Sequence, residues 1–456
     1  MTVARLLAKW GAGLELDAVP QDAQHAAARH LLDGFGTALA ALRTNTVAPA
    51  LEVARSLGGP PEASFPGSRE LLGAPAAAYA TGALVHGHDF DDTHSGGLVH
   101  ATAATLPAAW AVGQQVGATG ADVLTAAVVG YETVCRIAMG SPHGFHARGL
   151  HATQVAGVFA AAAVTSRLLR LPAEAVTEAL GIAGSSAGGL LEFLTTGSST
   201  KQLHPASGAL NGILAARLAA AGATGPDTVL EGPHGIYATL SARPADLDAV
   251  TADLGESWEV TRITIKPYPA CQLMHVSLDA TAAALRTAAI DPQDVVEVVA
   301  EVHPDSAAVV CEPAADKVAP RTVYDAKFSL PWCVAALLVD GRVDLDTFTE
   351  QSIARPAVTA LASRVRTRLG GSAGVAADAA GRVEVRLRDG STIEGAVARS
   401  VGGPLAPMSD DALLAKFLAD AGDTPPARQL AERILDLPAE PDLRGLADLA
   451  TRAAGA

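Results

Sequence analysis

Alanine-rich apolar stretches make up much of this chain, and three short polar segments interrupt them at residues 89–100, 143–151 and 197–205. Within the apolar stretches the hydrophobic residues recur at helical spacing, as they do through Asp22–Leu42. Hydrophobic residues form 49% of the chain but aromatic residues only 4%, so small side chains must do most of the packing. Alanine has the best helix propensity, and small side chains let helices approach closely. The pattern therefore predicts an all-helical domain that carries its functional groups at helix ends.

The first polar segment lies within HGHDFDDTHSGGLVHATAATLP (86–107), between helices predicted from Pro75 to about His86 and from about Thr102 onward. A polar loop held between buried helices is costly unless each of its groups finds a partner. We therefore interpret this stretch as a site. Its candidate functional side chains are Asp89, Asp91, Asp92, Thr93 and the histidines at positions 86, 88, 94 and 100.

Four interpretations of this stretch compete. An EF-hand is excluded, because His94 occupies the position of the turn glycine and no glutamate stands at the twelfth position. A His/Asp metal site has suitable ligand types, but their spacing is irregular and does not follow one helix face. A solvated loop without function is the third interpretation. We favour an acid–base site, since histidine exchanges protons near neutral pH and aspartate can orient it.

The clearest predicted helix covers residues 119–138, where Thr119 and Asp122 resemble a capping box and an apolar stripe follows. Cys135 lies on that stripe and is predicted to be a core residue. His25 and His30, in the helix predicted over Asp22–Leu42, are predicted to be surface histidines.

The character of the chain changes near Trp258. The segments VTRITIKPY and VVEVVAEVHP alternate like strands, and residues 382–397 predict a hairpin with Asp389-Gly390 at its turn. Helices are predicted at Ser329–Leu338 and Arg355–Leu369, and again from an N-cap at Ser409. The predicted fold class is mainly α with a smaller α+β domain. The predicted domains are a helical domain (1–261 and 403–456) and an α+β domain (262–402).

Composition and charge exclude several classes of function. The net charge of −15 argues against nucleic acid or an anionic membrane as partner. The four cysteines are scattered without a CxxC pair, which leaves disulfide, zinc and iron–sulfur sites unsupported. Apolar runs such as Val155–Val164 are too short to span a bilayer, and the first residues do not resemble a secretory signal. We expect a soluble, cytoplasmic protein.

Two lysines sharpen the acid–base interpretation. Lys201 lies in STKQLHP and Lys266 in IKPYPACQLMH. Any single lysine is most often a solvated surface charge. Together with His100, His151 and His275, however, these lysines predict a cationic pocket suited to a small di- or tricarboxylate. Such a pocket also favours removal of a proton α to a carboxylate, because cations stabilise the developing enediolate.

Five blocks of the sequence carry a family resemblance: HGHDFDDTHSGGLVHATAATLPAA, RGLHATQVAGVFAAAA, STKQLHPASGALNGILAARLAAAGATGP, TIKPYPACQLMH and AKFSLPWCVAALLVDG. In this order the chain resembles the MmgE/PrpD family, which includes 2-methylcitrate dehydratase, cis-aconitate decarboxylase and iminodisuccinate epimerase. The resemblance covers about residues 5–440. It implies a helical domain built from both chain ends and an inserted α+β lid domain. It also implies an active site at their junction, in a homodimer, without metal or other cofactor.

The same resemblance implies roles for individual residues. The catalytic set it indicates is Asp89, Thr93, His100, His151, Lys201 and Lys266, and the substrate-binding set is His204, Cys271, His275 and Trp332. This chain departs from the family pattern at three places. His100-Ala101-Thr102 replaces the usual HPS, Cys271 stands where the decarboxylase branch has histidine, and Trp332 replaces a tyrosine of that branch.

These departures make cis-aconitate decarboxylation less favoured for this chain. The leading hypothesis is a cofactor-independent lyase on a small di- or tricarboxylate, similar to 2-methylcitrate dehydratase. Either His151 or His100 would exchange the carbon-bound proton. An epimerase or isomerase, or a decarboxylase, on the same site remains open, as do a metal-dependent hydrolase and a scaffold without catalysis.

Overall fold

The computed structural model describes residues 1–370 and 375–455, apart from the side chain of Asp378. In these residues the fold is mainly helical, with a four-stranded mixed sheet and a two-stranded antiparallel sheet. The helices before residue 252 are α1 (Val3–Gly13), α2 (Gln21–Arg43), α3 (Ala48–Leu57), α4 (Ala74–His86), α5 (Ala101–Val116), α6 (Gly120–Met139), α7 (Gly144–Ala147), α8 (Ala152–Leu168), α9 (Ala173–Gly184), α10 (Phe193–Thr196), α11 (His204–Ala220), α12 (Ile236–Leu240) and α13 (Leu247–Thr251).

The later helices are mostly short until the last three. They are α14 (His275–Thr287), α15 (Pro304–Val310), α16 (Ala314–Val318), α17 (Val323–Ala326), α18 (Leu330–Asp340), α19 (Glu350–Ile353), α20 (Pro356–Ala362), α21 (Asp410–Ala421), α22 (Pro425–Leu435) and α23 (Arg444–Ala453). The strands are β1 (Thr93–His94), β2 (Ile263–Thr264), β3 (Val295–Val302), β4 (Val365–Leu369), β5 (Gly381–Leu387) and β6 (Thr392–Val397).

The described apolar side chains form two main cores. The larger core takes residues from α1 through Ile265 and again from Met408 to Ala453, so the C-terminal helices pack on the N-terminal ones. The smaller core runs from Ala270 to Val385 and surrounds the sheet. We propose that these two cores correspond to the helical and the α+β domain.

Small residues allow the close helix contacts that the composition predicts. At Gly82 in α4, an added Cβ would lie 2.8 Å from the backbone of Ala206 in α11. At Gly212 in α11 it would lie 2.5 Å from the Ala161 side chain in α8. Backbones this close leave no room for larger side chains. The three helices that carry site residues at their ends are therefore held at short spacing.

Several predicted elements are confirmed. Thr119 and Asp122 form a capping box at the start of α6, and the Ser409 hydroxyl accepts a hydrogen bond from the Ala412 backbone at the start of α21. The hairpin of β5 and β6 turns at Asp389-Gly390, where Gly390 has a φ of +86°. Cys135 is fully buried in the larger core. The fold class predicted from the sequence is confirmed.

Other expectations are corrected. The helix predicted over Arg355–Leu369 ends at Ala362, and Val365–Leu369 forms β4, which pairs in parallel with β3. The sheet order is β4-β3-β5-β6, with the other two pairings antiparallel. His30 is not a surface residue: it is 4% exposed, and its Nδ1 lies 2.9 Å from the Asp92 carboxylate.

A two-stranded sheet links the first polar segment to the segment that carries Lys266. β1 pairs antiparallel with β2, with Thr93 opposite Thr264. The VTRITIKPY segment contributes only this short strand, preceded by one 3-10 turn at Glu259–Arg262. β2 ends at Thr264, two residues before Lys266. This pairing therefore fixes the position of Lys266 where the chain passes from the larger core to the smaller one.

In residues 1–370 and 375–455, no helix combines the length and the apolar character required to cross a bilayer.

Candidate active site

The three polar segments line a common cavity of about 380 Å³. Side chains that follow residue 270 close its other wall, among them Cys271, Val309 and Phe328. A cavity of this size suits a small molecule. A larger groove of about 460 Å³ beside His25 and Asp410 is lined by none of the predicted site residues. The predicted residues that line the cavity are Asp89, Thr93, His100, His151, Lys201, Lys266 and Cys271.

The carboxylate of Asp89 joins two lysines at the floor of the cavity. Its Oδ1 lies 2.5 Å from Lys201 Nζ and 3.1 Å from Lys266 Nζ. Lys266 Nζ also donates to the Asp89 carbonyl at 2.8 Å. All three residues are buried. Two ammonium groups thus share one carboxylate, and this trio retains an excess positive charge that an anionic ligand can neutralise.

The backbone of Asp89 helps to aim its side chain. Asp89 has a φ of +54°, a left-handed conformation that aspartate tolerates better than most residues. Burial alone would raise the pKa of Asp89, but Lys201 and then Lys266 outweigh it and hold that pKa well below its usual range. Asp89 is therefore an ionised counter-ion rather than a proton donor at neutral pH.

His100 is held by both ring nitrogens. Its Nδ1 lies 3.0 Å from the Asp92 carbonyl, which fixes the proton on Nδ1 because a carbonyl only accepts. Its Nε2 then accepts a hydrogen bond from Lys201 Nζ at 3.2 Å. Burial, followed by the charge of Lys201, lowers the pKa of His100 to about 4. The ring is neutral near pH 7, with its Nε2 lone pair on the lysine side.

Behind His100 lies a histidine–aspartate pair. The Asp91 carboxylate lies 2.8 Å from His86 Nδ1 and 3.3 Å from His100 Nδ1. Burial raises the pKa of Asp91, but His86 and His100 reverse the effect and hold it well below its usual value. The His86 ring packs against that of His100, with centroids 4.4 Å apart. One buried carboxylate therefore orients two imidazoles.

Asp92 anchors the same loop from the other side. Its carboxylate accepts hydrogen bonds from the backbone and the hydroxyl of Thr102, at 2.9 and 2.6 Å, and contacts His30. The departure from the HPS pattern thus places a threonine where it holds the loop. His94 faces away from the cavity and bonds Glu259 at 3.0 Å.

His151 pairs with another imidazole. Its Nδ1 lies 3.0 Å from His204 Nδ1, so one ring donates and the other accepts. Burial, then Lys201 and His204, holds the pKa of His151 well below its usual value, and burial with His86 and Lys201 lowers that of His204 to about 3. His204 does not line the cavity and acts on it only through His151.

Helix ends position these groups. His100 and His151 are the N-cap residues of α5 and α8, and His204 is the first residue of α11. Lys201 lies on the 3-10 turn Ser199–Leu203 that leads into α11. The positive ends of helix dipoles therefore point toward the cavity, where they favour anions and disfavour imidazolium.

The remaining predicted residues are placed differently. Thr93 lines the cavity, with its hydroxyl 3.4 Å from His100 Nδ1. Cys271 also lines it, and burial followed by the charge of Asp89 raises the pKa of its thiol. His275 bonds the Ala270 carbonyl at 2.9 Å below the cavity. Trp332 is fully buried in the smaller core against Phe348 and does not reach the cavity.

Some residues of the site were not in the predicted set. His86 and Asp91 belong to the same polar stretch, but the sequence does not show that one orients the other. His146 and Arg243 line the outer part of the cavity. His146 lies in the second polar segment, which was the available signal, whereas nothing in the sequence around Arg243 distinguishes it from a surface arginine.

Among the residues that the structure describes, two overlapping groups have ligand atoms within 4.8 Å of one another, close enough to hold a metal ion: His86, His100 and His151, and His86, Asp89, Asp91 and His100. The donor types suit zinc or iron. Lys201, however, already bonds both Asp89 and His100, so a cation at this point would meet the ammonium group. The arrangement fits an anionic ligand better than a metal.

Known proteins match this chain along most of its length. Residues 5–247 match the model of the MmgE/PrpD N-terminal domain, and residues 268–439 match that of the MmgE/PrpD C-terminal domain. The chain is 27% identical over 463 residues to cis-aconitate decarboxylase of Aspergillus terreus, and the match covers 96% of this chain and 94% of that protein. It is 29% identical over 365 residues to cis-aconitate decarboxylase of Homo sapiens, covering 76% and 72% of the two chains.

Proposed function

The chain belongs to the MmgE/PrpD family, and from this premise we propose that it is a lyase acting on a small di- or tricarboxylate. The observation that carries the proposal is the buried trio of Lys201, Lys266 and Asp89 beneath a cavity of about 380 Å³. Its excess positive charge binds a substrate carboxylate. The same charge stabilises the enediolate formed when the adjacent carbon loses a proton, because two preorganised cations face the developing negative charge.

His100 is the base in this proposal. Its Nε2 carries a lone pair, and its Nδ1–H is anchored on the Asp92 carbonyl. When Nε2 takes the carbon-bound proton, the nearby Asp91 carboxylate stabilises the imidazolium. No carboxylate contact of this kind is found for His151 among the described residues, so we assign the role of base to His100.

For a hydro-lyase the remaining step is loss of the β-hydroxyl. The carbon–oxygen bond breaks as the enediolate collapses to the alkene, and a proton must reach the departing oxygen. We assign this proton to His151, backed by His204 at 3.0 Å. The carboxylates of a bound substrate raise the pKa of His151 from its low value in the empty cavity. Thr93 hydrogen-bonds the same hydroxyl.

We propose a hydro-lyase of the 2-methylcitrate dehydratase type as the leading activity. In the decarboxylase branch a histidine stands at the position of Cys271. Here the raised thiol pKa leaves Cys271 neutral, so it neither holds a carboxylate nor delivers a proton as imidazole does. Trp332 likewise offers no hydroxyl and is turned into the smaller core.

Decarboxylation of cis-aconitate is the second candidate, because the relatives above carry that name over as much as 96% of this chain. The same lysines would stabilise the carbanion left when the carbon–carbon bond breaks and carbon dioxide departs. The carbanion would then take up a proton that His100 or His151 has acquired from solvent. The two candidates therefore differ in the bond broken and share the cationic floor.

Turnover assays with chelator-treated protein separate these candidates. The protein is incubated with 2-methylcitrate, citrate and cis-aconitate, while unsaturated-acid absorbance and carbon dioxide release are followed. Absorbance gain with 2-methylcitrate supports the hydro-lyase, and carbon dioxide from cis-aconitate supports the decarboxylase. Lys201→Met should lower kcat/KM by at least about 10³-fold, whereas the exposed control Lys9→Met should not change it. No reaction with any of the three acids would contradict both candidates.

A further inference from the structure

A second polar group lies on the more exposed side of the cavity, where Arg243 and Asp305 reach solvent. His146 contacts both His151 and His143, with ring centroids 6.2 and 6.4 Å apart respectively. His143 Nε2 and His146 Nδ1 are buried atoms, and no hydrogen-bond partner for either lies among the described residues. Each neutral imidazole can direct an N–H into the cavity from such a nitrogen. Buried polar atoms of this kind require a partner.

Arg243 lines the cavity on the same side and is held in place by the chain around it. Its Nη1 donates to the Pro142 carbonyl at 3.1 Å, and the neighbouring Ala242 backbone N–H bonds the Gly144 carbonyl at 3.0 Å. No carboxylate of the described residues forms an ion pair with this guanidinium. The other N–H groups of Arg243 are thus available to an anion, and a guanidinium binds carboxylates well.

Asp305 carries a negative charge that opposes the binding of an anion near Arg243. It lines the same cavity near the N-terminus of α15 and is exposed. Burial lowers the pKa of His143, Asp305 counteracts that effect, and Arg243 reinforces it. Asp305 and Arg243 are therefore both within electrostatic reach of His143. An anion bound between Arg243 and His143 would be attracted by the first and repelled by Asp305.

The backbone conformation at this side of the cavity favours a functional role for its residues. His143 has a φ of +58°, which is uncommon for a residue other than glycine and tends to occur at functional positions. The Ser141 and Ser241 hydroxyls, 2.7 Å apart, join its loop to the segment that carries Arg243. The cavity lining also includes apolar side chains, among them Leu191, Phe193, Leu194 and Leu273.

We propose that Arg243, His143 and His146 form a second carboxylate subsite, which makes this protein selective for an acid with a carboxylate at the end remote from the reacting carbon. The inference rests on the proposed function, since the lysine trio must hold the first carboxylate. It narrows the substrate class to tricarboxylates, in which a short alkyl segment separates one terminal carboxylate from the other two. Asp305 sets the strength of the outer subsite by opposing it.

Equilibrium binding of two matched acids tests this without requiring turnover. Propane-1,2,3-tricarboxylate and methylsuccinate differ only in that a methyl group replaces one terminal CH₂–carboxylate unit. By calorimetry, Arg243→Gln should weaken binding of the tricarboxylate by about 3- to 10-fold, because the exposed guanidinium makes a partly solvated charge-assisted pair. Binding of methylsuccinate should weaken by less than about 3-fold, since this acid needs only the lysine trio.

The matched variant Asp305→Asn should have the opposite effect and strengthen binding of the tricarboxylate by about 3- to 10-fold. His143→Gln serves as a second variant of the subsite, and thermal unfolding checks that each variant is folded. If both acids bind and neither Arg243→Gln nor His143→Gln separates them, the subsite is refuted while the proposed function stands. If neither acid binds the wild-type protein, the lysine trio does not hold carboxylates and both proposals fail.

Discussion

Asp89 determines how much positive charge the floor of the cavity presents, because it is the carboxylate that both lysines share. Asp89→Asn removes that charge without changing the volume. The two ammonium groups should then bind anions more tightly, while His100 loses an anion 3.6 Å from its Nε2 and becomes a weaker base. We expect methylsuccinate to bind about 3- to 10-fold more tightly and kcat to fall by about 10²-fold or more.

Calorimetry and steady-state kinetics of Asp89→Asn measure these two effects separately. The exposed Asp17→Asn is the matched control. A parallel loss of binding and turnover would contradict the assignment of Asp89 as a counter-ion.

Asp91 acts on the reaction through the imidazoles that it orients. Asp91→Asn keeps the shape but replaces one accepting oxygen with an NH₂ group, which cannot accept from His86 Nδ1 or stabilise the imidazolium of His100. By analogy with other histidine–aspartate pairs, kcat should fall by about 10²- to 10⁴-fold with KM little changed. Stopped assays over pH 5–8 measure kcat and KM, and a large change in KM alone would point to a binding role instead.

Residue types and spacing predicted seven of the residues that line the cavity, but not the rest of the lining or the orientation of each side chain. Asp89, Lys201 and Lys266 stand in motifs whose chemistry is readable in the sequence, and the structure brings them within hydrogen-bonding distance. His30 was misjudged because its partner Asp92 lies 62 positions away in the chain, a contact that helical periodicity does not contain. Trp332 faces the core for a similar reason, since its rotamer depends on Phe348 and other distant neighbours.

Contacts between helices set the distances in the site. α4 ends at His86, just before Asp89, and α11 follows directly from the turn that carries Lys201. Their closest approach is at Gly82, where an added methyl group would lie 2.8 Å from Ala206. The separation of these helices therefore controls the contact between Lys201 and Asp89.

Gly82→Ala should push α4 and α11 apart. We expect the unfolding free energy to fall by about 1–3 kcal/mol, as overpacked sites typically do, and kcat/KM to fall together with it. The matched control is Gly13→Ala at the end of α1, where an added Cβ meets nothing within 4 Å. Urea unfolding followed by circular dichroism and initial rates check both quantities. Equal behaviour of the two variants would show that the crossing tolerates a methyl group.

Elements with strong local signals were predicted well, and those that depend on distant pairing were not. The periodic, alanine-rich helices and the Asp389-Gly390 hairpin can each be predicted from a short window of sequence. β4 does not, because VRTRL becomes a strand only by pairing in parallel with β3, more than 60 residues earlier. Parallel pairing leaves no turn signal next to the strand.

At the scale of the whole molecule, the charge of −15 opposes an anionic substrate, and the buried lysines provide the local exception. Several imidazoles in and around the cavity are neutral. The pKa values of five buried or partly buried histidines are lowered to about 3 or 4, with burial as the largest cause: His88, His100, His146, His204 and His275. Three buried acids have pKa values raised to about 6 or 7, again mainly by burial: Asp33, Glu132 and Asp420.

These two sets affect stability with opposite signs. Between about pH 5 and pH 6, each of the five histidines is neutral when folded but takes up a proton when unfolded, so acid favours unfolding. Each raised acid is protonated when folded and ionised when unfolded, so acid favours folding. The five histidines outnumber the acids by two, and His86 and His151, whose pKa values are also lowered, add to the excess, so the unfolded chain binds at least about two more protons. The unfolding free energy should therefore fall by at least about 2–3 kcal/mol per pH unit as the pH decreases through this range.

His88→Gln tests this account outside the cavity, since His88 Nε2 contacts the hydroxyls of Thr44 and Thr46 rather than the site. Removing one of the five histidines should flatten the pH dependence by about 1.4 kcal/mol per pH unit, the value of one proton. Urea unfolding at several pH values between 5 and 7 measures both slopes. A wild-type stability that rises as the pH falls would mean that the buried acids outweigh the histidines, and that the imidazoles of the cavity are not held neutral by burial.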